Sequence, residues 1–243
     1  MNTPSAHGSN NGFDWRSPDA FLFDIDGTLL NTKDLVHYNA LNRAMLEAYG
    51  IETTIDGVAF HGMTDLGILR AALHRVGVTS EIFAAKLPYA LDIVRQHVAE
   101  NAPGLSPSVC CGIPDLVREL REQGKLLGVA SGNLESVGWH KIASAGLREF
   151  FAFGCFSDEC EMRTEIFQRA LSEVHRRLGE LATVCFVGDT PEDIRAARAV
   201  GAQVIAVGTG IYKSVDLASL EPDLYVDSCA QLSALDISSH SEG

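Results

Sequence analysis

The stretch Phe21-Leu22-Phe23-Asp24-Ile25-Asp26-Gly27-Thr28 begins as an apolar run and ends in two acids one residue apart. A run without polar alternation suits a strand covered on both faces, so it predicts a central strand of a parallel sheet. In extended chain, residues i and i+2 point the same way, which starts Asp24 and Asp26 on one side. Carboxylates this close repel, and they are tolerated mainly where a cation or a shared proton relieves them. Gly27 permits a sharp turn that leaves Thr28 at the base of the loop. The alternative is an Asx-type turn that merely closes the strand, to which Asp-Gly is well suited.

Outward from this point the chain repeats the pattern. Apolar runs at 20–23, 126–130, 152–156, 183–187, 203–207 and 224–226 alternate with helical periodicity at 113–122, 134–145, 164–178 and 191–200. The last of these opens with Pro191 and two acids and stops at Gly201, a good helix start and stop. The pattern predicts an α/β, doubly wound, Rossmann-like parallel sheet. Between 32 and about 100 only helical signals occur, at 35–49, 65–76 and 80–99. That interval is too long for a simple crossover and reads as a small helical cap inserted into the core. The expected division is a flexible tail at 1–18, a core at 19–31 and 104–236, a helical cap at 32–103 and a second tail at 237–243. A ligand site is then expected where the carboxyl ends of the strands face the cap.

The 243 residues carry 19 Lys and Arg against 32 Asp and Glu, a formal charge of −13. Such a balance disfavours a broad surface for nucleic acid or anionic lipid, which needs clustered cations. No run approaches the roughly 18–20 apolar residues of a membrane span. The opening MNTPSAHGSNNG lacks the basic start and apolar core of a signal peptide. Six cysteines without a CxxC pair read as free thiols in a reducing compartment, so the expected location is the cytoplasm. Gly208-Thr209-Gly210-Ile211-Tyr212-Lys213-Ser214 looks like a P-loop but has Tyr212 where a glycine must precede the lysine.

Three strand-end segments carry the chemistry: the DxDGT of Asp24–Thr28, then Val129-Ala130-Ser131-Gly132-Asn133, then Phe186-Val187-Gly188-Asp189-Thr190-Pro191-Glu192-Asp193. In that order and spacing the chain resembles the haloacid dehalogenase superfamily, in its phosphatase branch, near the phosphoglycolate phosphatase and β-phosphoglucomutase-like group. The resemblance implies Asp24 as a nucleophile that is phosphorylated, and Asp26 as the general acid and base. It implies Mg²⁺ held by the Asp24 carboxylate, the Asp26 carbonyl and Asp189, with Asp193 supporting the cluster. Asp193 can also act simply as an N-terminal helix acid. Thr28, Ser131, Gly132 and Asn133 are the implied phosphate donors, the last three entering a helix as anion sites do. Read alone, Ser131-Gly132-Asn133 would be a turn with a helix cap.

The family's third motif is usually a lysine ahead of the fourth, often followed by proline. Residues 157–167 contain no lysine, and Arg163 is their only cation. Arg163 is therefore the expected substitute, since a guanidinium stays charged and can meet carboxylate and phosphate oxygens together. The competing expectation is an exposed arginine paired with Glu159 or Glu161. In the cap, His61, Thr64 and Arg70 are candidates for substrate contact, with Thr64 equally suited to capping the next helix. The expected activity is Mg²⁺-dependent hydrolysis of a small phosphorylated metabolite by a monomer or homodimer. A phosphomutase and a catalytically impaired binding protein on the same fold are the rivals.

Overall fold

The structure, a computed structural model, describes residues 13–232 and residue 235. Six strands form one parallel sheet: β1 (Ala20–Phe23), β4 (Leu126–Ala130), β5 (Phe153–Cys155), β6 (Val184–Gly188), β7 (Gln203–Val207) and β8 (Leu224–Val226). Their order is β5-β4-β1-β6-β7-β8, with β1 in register with β4 on one side and β6 on the other. The doubly wound sheet expected from the apolar runs is what the chain forms.

Why those runs are continuously apolar follows from the pleat. Phe21 and Phe23 pack into one cluster with Leu127, Val129, Cys185 and Val187, while Ala20 and Leu22 pack into another with Ala130, Val184 and Phe186. Successive side chains thus enter opposite cores, and neither face can be polar. The first core is closed by α4 (Ile113–Glu122) through Ile113, Leu116, Val117 and Leu120. The second is closed by α6 (Arg163–Leu178) and α7 (Pro191–Ala199). There Phe167 of α6 stacks on Phe186 of β6 at 3.9 Å between ring centroids.

Three helices lie between β2 (Leu30–Asn31) and β3 (Ser108–Val109): α1 (Val36–Tyr49), α2 (Asp65–Arg75) and α3 (Ser80–Glu100). They bury Leu41, Met45, Leu69, Leu73, Leu91 and Val94 at helical spacing in a cluster of their own. Leu134 and Val137 complete that cluster, the latter on α5 (Glu135–Ser144), the helix that follows β4. The helical layer therefore rests on the element that carries the second motif. β2 and β3 pair antiparallel, so the chain's exit from the sheet and its return lie side by side.

Some local features differ from expectation. Residues 13–18 were expected to belong to a flexible tail, yet Trp15 is buried in the first core and Arg16 is ion-paired with Glu119. A single indole supplies enough apolar area to anchor a segment that is otherwise polar. The rest of the expected N-terminal tail, 1–12, and the C-terminal tail, 237–243, lie outside the described residues. The ribbon β2–β3 and the short α8 (Ser214–Ala218) were not expected, each being too brief to show a period. Among the described residues no helix is long and apolar enough to cross a membrane.

Candidate active site

Because β4, β1 and β6 are adjacent and parallel, the three motifs at their carboxyl ends converge. The chain fills one side of the sheet from β1 and then the other, so β1 and β6 flank the switch point where α/β folds open a crevice. Asp24 leaves β1 with its N–H donating to the Val187 carbonyl at 3.0 Å. Gly27 then turns with φ +91°, and a Cβ there would meet an Asp189 carboxylate oxygen at 2.3 Å. Only glycine lets the first motif's loop approach the fourth motif this closely.

Asp24, Asp189 and Asp193 are all buried, and one carboxylate oxygen from each lies within 4.8 Å of the others. Burial pushes the Asp24 and Asp189 carboxyls upward, and repulsion from neighbouring acids pushes them the same way. Asp193 is fixed by α7, whose first turn it occupies. Its Oδ2 accepts from the Thr190 N–H at 3.0 Å and from the Thr190 hydroxyl at 2.7 Å. Its Oδ1 lies 2.7 Å from Arg163 Nε. Asp193 thus combines helix capping with a place in the acid cluster.

Arg163 is the first residue of α6 and is buried. Its second terminal nitrogen lies 2.5 Å from Asp24 Oδ1, and Nη1 donates to the Gly62 carbonyl at 3.2 Å. Burial opposes its charge, but Asp193, Asp24 and Asp189 together overcome that and hold its pKa above the ordinary arginine value. The acids of the competing expectation are engaged elsewhere: Glu159 pairs with Arg169, and Glu161 pairs with Arg70.

Asp26 is half-buried and points at a different set of partners. Lys141 Nζ lies 2.7 Å from Asp26 Oδ2 and donates at 2.7 Å to the Asn133 side-chain oxygen. The Asn133 amide in turn donates to Asp26 at 2.9 Å and to the Ser131 hydroxyl at 3.0 Å. Burial raises the Asp26 carboxyl, but Lys141 and these hydrogen bonds outweigh it, so its pKa lies below the usual carboxylate value. Lys141 was missed in the sequence, although a signal was present. It shares a helix face with Val137, Gly138 and Ile142, all buried, and a lysine on an inward face needs a partner.

One of the expected phosphate donors is engaged otherwise. The Thr28 hydroxyl donates to Asp189 Oδ1 at 3.0 Å, its N–H donates to the Ile25 carbonyl, and its side chain is fully buried. Thr28 therefore holds the fourth motif in place rather than facing the cavity, because the Gly27 turn directs it inward. Asn133 lines the cavity; its side-chain amide is engaged by Asp26 and Ser131, while the backbone N–H expected to meet phosphate lies 3.5 Å from the Ser131 hydroxyl. Ser131 and Gly132 also line the cavity.

That cavity, of about 330 Å³, contains Asp24, Asp26, Lys141, Arg163 and Asp189 on the sheet side and is roofed by α1 and the loop before α2. His61 is in its wall, stacked on Phe60 at 4.4 Å between ring centroids. Thr64 and Arg70 are not. Thr64 caps α2 by accepting from the Gly67 N–H at 3.0 Å and donates to the Glu161 carbonyl. Arg70 is committed to Glu161 and faces a larger neighbouring cavity of about 720 Å³, which shares Arg163 but reaches none of the acids at 24, 26 and 189. The chemistry belongs to the smaller space. His37 of α1 and Asp65 of α2, also missed in the sequence, are paired at 3.1 Å in its lining.

The acid cluster suits a hard cation. Three acids gather on one guanidinium, the raised pKa values of Asp24 and Asp189 show that a further positive charge would be welcome, and all the donors are oxygens.

Comparison with known proteins agrees with this geometry. The family model described as haloacid dehalogenase-like hydrolase matches residues 21–207. The chain is 29% identical over 217 residues to a phosphoglycolate phosphatase of Agrobacterium fabrum, covering 87% of this chain and 89% of the relative. It is 29% identical over 227 residues to a glyceraldehyde 3-phosphate phosphatase of Methanopyrus kandleri, covering 86% and 92%. Among solved structures, CbbY from Rhodobacter sphaeroides in complex with phosphate superposes with a TM-score of 0.67 at 20% identity, covering 88% and 96%. A match spanning all three strand-end motifs, on a sheet that brings them together, makes this chain a member of the haloacid dehalogenase-like hydrolase family.

Proposed function

We propose that this protein is a Mg²⁺-dependent phosphatase that hydrolyses a small phosphate monoester through an aspartyl-phosphate at Asp24. The observation that carries the reading is the buried Asp24 carboxylate, held against Arg163 and beside Asp189 at the switch point of the sheet. Phosphate monoesters repel an incoming nucleophile, so a catalyst must neutralise charge, align the ester and supply the attacker. Asp24 and Asp189, supported by Asp193, would hold Mg²⁺, which supplies charge neutralisation at the phosphoryl oxygens when bound.

The chain's own groups do the rest. The Asp24 carboxylate attacks phosphorus, forming an acyl-phosphate as the ester P–O bond breaks. The negative charge of the bound ester opposes the pull of Lys141 and favours a protonated Asp26. Asp26 delivers that proton to the departing oxygen and regains one from the water that attacks the acyl-phosphate, returning Asp24 and releasing inorganic phosphate. Arg163 neutralises Asp24 and reaches the same side of the phosphoryl group. Ser131 and the Gly132 N–H at the entry to α5 offer the remaining oxygens their donors. Lys141 holds the Asp26 carboxylate in place, so Lys141→Met lowers kcat at least about tenfold, roughly 1.4 kcal/mol of barrier. An unchanged kcat would remove Lys141 from the machinery.

Phosphate release from p-nitrophenyl phosphate tests the reading. Release that requires Mg²⁺, stops with EDTA and returns with added Mg²⁺ supports it; no release from any ester of a broad panel would favour the impaired-enzyme rival. Arg163 beside Asp24 speaks against that rival, since the unusual third motif was its only motive. Phosphate release from β-glucose 1-phosphate with no isomer formed excludes the phosphomutase.

A further inference from the structure

The wall of the active-site cavity facing the leaving group has an unusual charge make-up. On the sheet side the two cations are already matched, Lys141 with Asp26 and Arg163 with Asp24 and Asp193. The cavity is also lined by Asp34 and Asp65 and by the apolar or neutral Tyr38, Leu41, Ile55 and Ile68. Asp34 accepts from the Val36 N–H at 3.1 Å and from the Ser106 N–H at 2.9 Å; Asp65 accepts from the Leu134 N–H at 2.8 Å. Every Lys and Arg of the chain lies among the described residues, yet Lys141 and Arg163 alone line this cavity. Lys33 and Lys213, adjacent in sequence to lining segments, are exposed to solvent.

The two histidines do not fill the gap. His37 is opposed by the buried Asp65 carboxylate. His61 is partly desolvated against Phe60, and that burial disfavours its charged form, pushing its pKa below the ordinary histidine value.

Resting on the phosphatase reading, we propose that the cavity selects monophosphates with a neutral, hydroxylated leaving group and rejects those carrying a second anion. A carboxylate or second phosphate beside Asp34 and the Asp65–His37 pair would lose its water and meet no free cation, a penalty that falls on the wrong substrate alone. Hydroxyl groups fare differently there. They can donate to the Asp34 carboxylate, which has lone pairs left over from its two backbone donors, and can accept from the imidazoles. The volume of about 330 Å³ lies at the lower end for ligand pockets, which suits a short polyol, aldose or ketose chain. The class excludes phosphoglycolate, named for several of the relatives, and admits glyceraldehyde 3-phosphate, named for another.

Matched esters test this. For the full chain with saturating Mg²⁺, kcat/KM is compared for 2-hydroxyethyl phosphate against phosphoglycolate, and for glycerol 3-phosphate against 3-phosphoglycerate. Each pair differs by a hydroxymethyl group in place of a carboxylate. The neutral member is expected to be favoured at least about tenfold in both pairs, a discrimination that one misplaced charge readily supplies. Ile211 is exposed and lines the mouth of the same cavity, so Ile211→Arg adds a cation at little risk to the fold. That variant narrows both ratios by raising the rate on the carboxylates. Phosphoglycolate matching or exceeding its neutral partner in the parent, or ratios unmoved in folded Ile211→Arg, overturns the inference while leaving the phosphatase reading intact. Failure to release phosphate from all four esters and from p-nitrophenyl phosphate overturns both.

Discussion

Asp24→Asn lowers phosphate release at least about a thousandfold, roughly 4 kcal/mol of barrier, with no loss of the folded state. The amide is isosteric with the carboxylate but cannot attack phosphorus or carry the negative charge that the cation needs. The prediction separates chemistry from stability because Asp24 is one of three acids within 4.8 Å of one another. Removing one relieves repulsion, and Arg163 keeps Asp193 at 2.7 Å as a partner. Metal-free Asp24→Asn is therefore expected to unfold within about 1 kcal/mol of the parent, on the scale of an ordinary point substitution. Acid-quenched parent enzyme should also carry a phosphoryl group labile to hydroxylamine, as an acyl-phosphate is, and the variant should carry none. Turnover within tenfold of the parent would end the covalent mechanism.

How far the sequence revealed this site depends on the kind of signal each residue leaves. The strands were legible because burial on both faces removes polar alternation, as Phe21, Leu22 and Phe23 show by packing into opposite cores. The motifs were legible because they end those strands. Arg163 followed from the resemblance, as the one cation in the interval where the family carries a lysine, and it lies 2.5 Å from Asp24.

What was hidden depended on distant partners. Thr28 follows the diacid as a phosphate donor would, yet its hydroxyl is claimed by Asp189, 161 residues away. Lys141 lies ten residues beyond Ser131 on a helix with mixed composition, and only the packing of α5 brings it to Asp26. The two-residue strands β2 and β3 were invisible because neither is long enough to show a period, though together they place the chain's exit and return at one point. Trp15 escaped notice because the composition of its neighbours outweighed one aromatic residue.

Arg163→Ala should produce the largest combined effect on stability and turnover. Its guanidinium lies 2.5 Å from Asp24 and 2.7 Å from Asp193, in a place where all three groups are buried. Without it the buried acids of the cluster lose their one internal cation. Breaking a buried ion pair by deleting one partner costs about 3–5 kcal/mol, because the other charges stay desolvated. For a chain of this size each kcal/mol is worth roughly 2–4 °C, so metal-free Arg163→Ala should melt roughly 6–20 °C below the parent. The loss differs from a simple packing defect in responding to a dication. Mg²⁺ binds the folded acid cluster and not the unfolded chain, so it should raise the Tm of Arg163→Ala by more than it raises that of the parent. Turnover at saturating Mg²⁺ should still fall at least about tenfold, about 1.4 kcal/mol, since only the guanidinium spans Asp24 and Asp193 with directed N–H groups. Arg163→Lys separates charge from shape: an ammonium can neutralise one carboxylate but lacks the fork that spans both. It should fall between parent and alanine in Tm and in kcat. If alanine matched the parent in both, the cluster would need no internal cation, and the family's third motif would have no counterpart at this position.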